Sequence, residues 1–146
     1  MGIANDEPPH CEVPEGLEGL GEVGIKLLGE QNWQGLIVHC QQWTKAEPGN
    51  FLAWYLLGHA YQSMTCFQEA IQRITLFQEA IKAYRVAVNL FPGYYSAWES
   101  LILAYNALGE RDAALEAVRE LRKYEPKKAD EYLNMLIAER KPRTER

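Results

Sequence analysis

Apolar residues recur at three- and four-residue steps from Leu17 onward, with almost no β-like alternation, and the pattern itself recurs along the chain. Leu20, Val23, Gly24 and Leu27 return 34 residues later as Trp54, Leu57, Gly58 and Tyr61, and 44 residues after that as Trp98, Leu101, Ile102 and Tyr105. Ala80, Tyr84, Ala87 and Pro92 return 34 residues on as Ala114, Val118, Leu121 and Pro126. Each unit reads as a helix, a short turn, a second helix and a proline-marked exit, because proline cannot continue a helix. A unit of this size cannot bury its apolar face alone, so stacked neighbours must supply the core. The expected fold is all-α.

The repeats set the boundaries. Residues 1–16 hold three prolines and four acidic groups with no apolar period, and read as a flexible leader. The units then run over about 17–50, 51–94 and 95–128. After Pro126, Tyr132, Leu133, Leu136 and Ile137 share one helical face, so about 129–140 reads as a capping helix that solubilises the end of the stack. Charged residues 141–146 form a tail. Gly24 and Gly58 let the first helix of a unit approach the second, while Trp54 and Trp98 are expected to be buried and to play equivalent roles.

Trp54-x-x-Leu57-Gly58-x-x-Tyr61, followed by Ala80, Tyr84, Ala87 and Pro92, resembles the tetratricopeptide repeat (TPR). The resemblance covers residues 17–128 as three repeats in phase. It implies an α-solenoid of helix-turn-helix pairs, with a concave face lined by the first helix of each pair. On that face it places Leu52, Tyr55, Leu56, His59 and Gln62 from the second repeat. From the third it places Ser96, Glu99, Ser100, Leu103 and Asn106. Some members of the family grip a chaperone's C-terminal carboxylate with Lys, Asn and Arg. The matching positions here are Gly21, Ile25, Leu56, Glu99 and Leu103, none of which can donate a charge-assisted hydrogen bond to a carboxylate. That mode should be absent. The groove should instead suit an amphipathic helix or extended apolar peptide, although Leu52 and Leu56 could equally pack on a neighbouring helix.

Composition excludes several other functions. The chain has 15 Lys plus Arg against 20 Asp plus Glu, a net charge of -5, which argues against a nucleic-acid footprint. No apolar run approaches the ~18 residues of a membrane span. Cysteines at 11, 40 and 66 are odd in number and make no disulfide framework, so a reducing cytoplasm is the expected compartment. No HExxH, glycine-rich phosphate loop or G-x-S-x-G elbow occurs, and the acidic residues fall mostly on helix exteriors. No catalysis, cofactor or metal is expected. Neighbouring residues on a helix point about 100° apart, so His39 and Cys40 cannot easily share a zinc ion. The expected function is a non-enzymatic adaptor for a protein or peptide. A small secretion-type chaperone and a self-assembly module are the alternatives, while a metal or redox role remains to be tested by elemental analysis.

One irregularity breaks the spacing. Residues 65–74 read TCFQEAIQRI and residues 75–84 read TLFQEAIKAY, a tandem duplication that adds ten residues to the second repeat. Both Thr65-x-x-Gln68 and Thr75-x-x-Gln78 look like capping boxes, so two helix starts compete. Starting at the first lengthens the second helix by roughly 15 Å. Starting at the second leaves a loop or a longer first helix. Straightening of the whole hairpin would exchange halves between two copies in a swapped dimer. The extended helix is favoured, with the swapped dimer next. Phe67, Ile71, Ile74 and Phe77 are expected to promote self-association, making a homo-oligomer.

Overall fold

Helix follows helix at every connection. The computed structural model describes residues 19–140; the expected leader at 1–16 and tail at 141–146 lie outside the described residues. The helices are α1 (Leu20–Gly29), α2 (Trp33–Ala46), α3 (Phe51–Met64), α4 (Ala70–Leu90), α5 (Tyr95–Ala107), α6 (Arg111–Arg122) and α7 (Pro126–Arg140). A 3-10 turn at Thr65–Phe67 separates α3 from α4. No strand occurs among the described residues. Each helix packs on the next, and α3 also touches α1 and α5, so the pairs stack in chain order. Trp54, Tyr55 and Tyr61 of α3 pack against both core clusters and join the two ends of the stack.

The same notch is filled in three different ways. A Cβ added at Gly58 would stand 2.6 Å from the Tyr84 ring, and one at Gly24 would stand 3.2 Å from the Trp43 ring. The positions equivalent to Gly58, Tyr84 and Ala87 are Gly24, Cys40 and Trp43 in the first repeat. In the third they are Ile102, Val118 and Leu121. All nine are buried. Each repeat therefore distributes the bulk among three facing sites: Gly/Cys/Trp, Gly/Tyr/Ala and Ile/Val/Leu. Volume at the helix contact is kept while its owner changes, which close-packed interiors tolerate best.

The two tryptophans do play equivalent roles, but as half-buried anchors rather than buried core. Trp54 Nε1 donates to the Pro48 carbonyl at 2.9 Å, and Trp98 Nε1 to the Pro92 carbonyl at 2.8 Å. Each ring thereby ties the first helix of a unit to the proline exit of the unit before. At the C-terminal end, α7 starts at Pro126, where the missing N–H costs no helical bond. It buries Ala129 and Leu136, whereas Ile137 stays exposed, outside the apolar face expected for it.

The duplication is absorbed mainly by an extended α4. Trp33 and Arg111 start their helices fifteen residues before the following proline, whereas Ala70 stands twenty-two before Pro92. Seven of the ten extra residues thus lengthen α4, by about 10 Å rather than the full 15 Å. Two more widen the α3–α4 connection, which spans five residues where the α1–α2 and α5–α6 connections span three. The last extends α3, which has 14 residues against 13 in α5. In the second copy of the duplicated motif, Phe77 is half-buried, and Ala80 and Ile81 are 0% and 8% exposed. This corrects the expectation for Phe77, which packs into the core rather than offering itself for association. In the first copy the same residue types meet solvent: Phe67 is 70% exposed and Ile71 78%, with Ile74 at 50%. Ten residues at 100° each fall about 80° short of whole turns, so the first copy's apolar side is rotated off the core.

Neither capping box forms. The N-cap is Glu69, with no side-chain cap bond. Thr65 Oγ1 donates to the Gln62 carbonyl at 2.6 Å, and Thr75 lies inside α4. The other two pairs reverse through a left-handed residue at one shared position, Gln31 (φ 55) and Gly109 (φ 74). Thr65 occupies that position in the second repeat with φ -61, so the reversal is postponed.

Two outcomes test this packing. Gly58→Ala should lower the unfolding free energy by about 1–3 kcal/mol, because the buried Tyr84 ring cannot yield. Adding Tyr84→Val should recover part of that loss, read from urea midpoints. Deleting residues 65–74 should leave the helical signal intact and shift stability by no more than about 1 kcal/mol, since the second copy supplies the core residues. A chain that fails to fold after that deletion would show the first copy to be structural.

Candidate functional site

Six rings form a continuous row, by edge, tilted and stacked contacts, across α2, α3 and the turn after α4. Trp33 and His59 lie 5.6 Å apart and His59 and Tyr55 6.3 Å apart. Tyr55 meets Tyr94 at 5.1 Å, Tyr94 meets Phe51 at 5.1 Å, and Phe51 stacks on Phe91 at 4.8 Å. These separations are those at which aromatic pairs attract through offset or edge contacts. The α3 members, Phe51, Tyr55 and His59, are spaced by four residues and so share one face of the helix. The turn Phe91-Pro92-Gly93-Tyr94 brings Phe91 and Tyr94 to them, because the proline exit ends α4 just where α5 must begin, and Trp33 comes from the start of α2. All but exposed Phe91 are half-buried.

Along α3, the expected groove residues divide. Tyr55 and His59 belong to the row. Leu52 is half-buried against the core of the first two repeats. Leu56 is a correction: it is 4% exposed and belongs to that core, because position 56 faces α2 rather than the groove. Gln62 is committed internally, its Oε1 accepting from the Tyr84 hydroxyl at 2.8 Å.

On α5 the polar positions meet the capping helix. Glu99 pairs with Lys128 at 3.1 Å, and Lys128 also lies 4.8 Å over the Tyr95 ring. Asn106 donates to Glu139 at 2.8 Å. Ser96 and Ser100 are half-buried, and Leu103 is 40% exposed. The structure therefore gathers an aromatic, uncharged section on the second repeat and a charge-paired section between α5 and α7.

Burial sets the electrostatics of the row. It raises the Tyr55 phenol above its ordinary range, against the opposing pull of a Ser100 hydrogen bond. It lowers the His59 imidazole below 6.5. Glu99 holds the Lys128 ammonium above its usual range, first by hydrogen bond and then by charge. Sequence spacing missed Trp33, Phe51, Phe91, Tyr94, Tyr95 and Lys128. Five of these sit in or next to turns, where a helical count carries no information; the unusual aromatic density of Phe91–Tyr95 was the available signal.

Elsewhere the chemistry is sparse. Cys40 is buried and its thiol is pushed up to about 12 by desolvation, while His39 Nε2 lies 2.6 Å from the Leu20 carbonyl. Among the described residues no three metal-ligating side chains gather, and no helix is long and apolar enough to cross a membrane. A cleft of about 640 Å³ lies away from the aromatic row, between α4 and α6 over Trp98, Leu101 and Tyr105. Its floor is made of positions that hold the repeat together, so it follows from the stacking itself.

No family profile matches the chain, and no curated protein matches it. Solved structures do. PcrH in complex with the chaperone binding region of PopD superposes with a TM-score of 0.71 at 16% identity, over 86% of this chain and 93% of that one. The TPR domain of Arabidopsis OM64 gives 0.69 at 17% identity, over 84% and 95%. The first TPR of Spaghetti (RPAP3), bound to the HSP90 peptide SRMEEVD, gives 0.68 at 22% identity, over 84% and 90%. With its in-phase sequence repeats and stacked helix pairs, the chain has the tetratricopeptide-repeat fold.

Proposed function

We propose that the chain is a non-enzymatic adaptor that docks an apolar peptide or amphipathic helix on the face carried by α3 and α5. The half-buried aromatic row carries this reading. Trp33, His59, Tyr55, Tyr94 and Phe51 offer rigid rings with little rotamer entropy to lose, which is the composition of binding hot spots. Leu52 and exposed Leu103 extend the apolar surface on either side, while Ser96, Glu99 and Asn106 form its polar margin. Solved structures of the same fold hold peptides: PcrH the chaperone binding region of PopD, and Spaghetti the HSP90 peptide SRMEEVD. The PcrH likeness favours one second reading, a secretion-type chaperone, whose mark is co-purification with an otherwise insoluble apolar partner. A cytoplasmic location fits either reading.

The ligand differs from an acidic chain end. Gly21, Ile25, Leu56, Glu99 and Leu103 stand where a carboxylate clamp needs donors, and the neighbouring cation, Lys128, is already paired with Glu99. His59 adds no charge at pH 7 because burial depresses its pKa. In fluorescence anisotropy, an acidic peptide ending in a free carboxylate should show no measurable binding. An amphipathic apolar peptide should bind, and Tyr55→Ala or Leu103→Lys should weaken it by about tenfold or more. Salt-sensitive micromolar binding of the acidic peptide would sink the reading.

His59 also gives a pH signature. The unfolded chain takes up its proton at the ordinary value of 6.5, whereas the folded chain does so at a lower pH. Its contribution to stability is thus complete above pH 6.5 and falls away as the pH drops towards the folded value. Chemical unfolding should show this loss on the acid side of 6.5, and His59→Gln should flatten it. An unchanged profile in that variant would remove His59 from the account.

A further inference from the structure

The aromatic row has a counterpart one repeat further on, made from different chemistry. Tyr55 and Glu99 hold the same position of successive repeats, 44 residues apart like Trp54 and Trp98, and so do Phe51 and Tyr95. Tyr94 and Lys128 are related by the regular 34 residues. The contacts repeat with the positions. Tyr94 lies against Tyr55 and against Phe51, each at 5.1 Å between ring centroids. Lys128 Nζ lies 3.1 Å from Glu99 Oε1 and 4.8 Å over the Tyr95 ring. Where the second repeat sets a ring on two rings, the third sets a cation on a carboxylate and a ring.

The two sides of this site are not held alike. Glu99 stands one turn into α5 with its side chain 20% exposed, whereas that of Lys128, in the first turn of α7, is 42% exposed. Burial first, and then the Glu99 charge, raise the phenols of Tyr55 and Tyr132, so the carboxylate acts on both the aromatic row and the capping helix. The receiving groups thus belong to a packed helix, and the ammonium to a flexible stem. An ion pair this open to water is worth no more than about 1 kcal/mol, so a second cation can replace Lys128 at small cost.

We propose that Glu99 and Tyr95 form a cation subsite of the peptide groove, filled by Lys128 in the free protein and by a lysine or arginine side chain of the partner in the complex. This rests on the groove reading and adds the partner's chemistry to it: an apolar anchor against Tyr55 with a basic residue beyond. Three observations select a cation. The site already holds one, against both an anion and a ring face, the surroundings that stabilise an ammonium or guanidinium. The chain's net charge of -5 favours a basic partner over an acidic one. The spacing is also that of one ligand, because α3 and α5 touch. Packed helices lie about 8–10 Å apart, which two turns of a bound helix, roughly 10 Å, would span.

Two labelled amphipathic helical peptides test this by fluorescence anisotropy against the full chain. One carries lysines two turns to either side of a central phenylalanine; the other has norleucine, which keeps the stem and lacks the ammonium, in the same places. The wild-type chain should prefer the lysine peptide by about two- to threefold, since Lys128 competes, and Lys128→Ala should widen the preference to at least about fivefold. Glu99→Gln should abolish it, and added salt should shrink it. Lys127→Ala removes the same charge one residue away and should leave the preference at the wild-type value. Circular dichroism checks that each variant keeps its helical signal. Equal binding of the two peptides by the wild type and by Lys128→Ala overturns the cation subsite alone and leaves the apolar groove standing. A preference that survives Glu99→Gln, or that Lys127→Ala widens as much as Lys128→Ala, reflects net charge and overturns the subsite too. Failure of both peptides to bind any variant overturns the groove reading and the subsite with it.

Discussion

The contact between Gly58 and the Tyr84 ring fixes the helix pair on which the rest of the stack is built. With no Cβ at position 58, the ring takes the space one would fill, and its hydroxyl donates to Gln62. That bond satisfies a polar group that is otherwise fully inside. The ring is also within 5.8 Å of Tyr55, so the packing of the pair positions the centre of the aromatic row. The core of the pair and the candidate site therefore meet at one ring contact, Tyr84 against Tyr55.

The other repeats show that the notch is a volume to be filled, with no requirement for one particular side chain. Trp43 fills it from one turn further along α2, over small Cys40; Ile102 fills it from the opposing helix, against Val118 and Leu121. This is why a degenerate motif still stacks in phase. In the first repeat Trp43 reaches the notch from the other helix of the pair, yet Gly24 is the one residue of α1 that is buried.

The duplication shows what happens when periodicity and phase disagree. A ten-residue insertion preserves local three- and four-residue steps almost perfectly, yet about 80° of helix rotation is enough to turn a core stripe into a surface stripe. The competition between Thr65 and Thr75 as helix starts was visible in the sequence, but neither was used. Thr65 adopts a helical conformation where Gln31 and Gly109 reverse the chain, so the turn slips to Glu69. Cap propensity, worth about 1 kcal/mol, yields to where the neighbouring helix allows the chain to reverse.

By itself, the sequence determined the helical class, the stacked helix pairs, and the exits at Pro48, Pro92 and Pro126. Those features depend on residue type at fixed spacing, and spacing along one helix is local information. It also placed Tyr55 and His59 on one face of α3, four residues apart. Tertiary structure alone decided that Leu56 turns inward, that Gln62 and Asn106 are already bonded, and that Lys128 comes to Glu99 from the capping helix. It also decided that Phe67 and Ile71 face out while Phe77 and Ile81 face in, though the two segments share their motif. The physical reason is common to all of these. A side chain's direction follows from its own helix, but what it meets depends on where another helix ends and how far each is rotated, and no single segment carries that information.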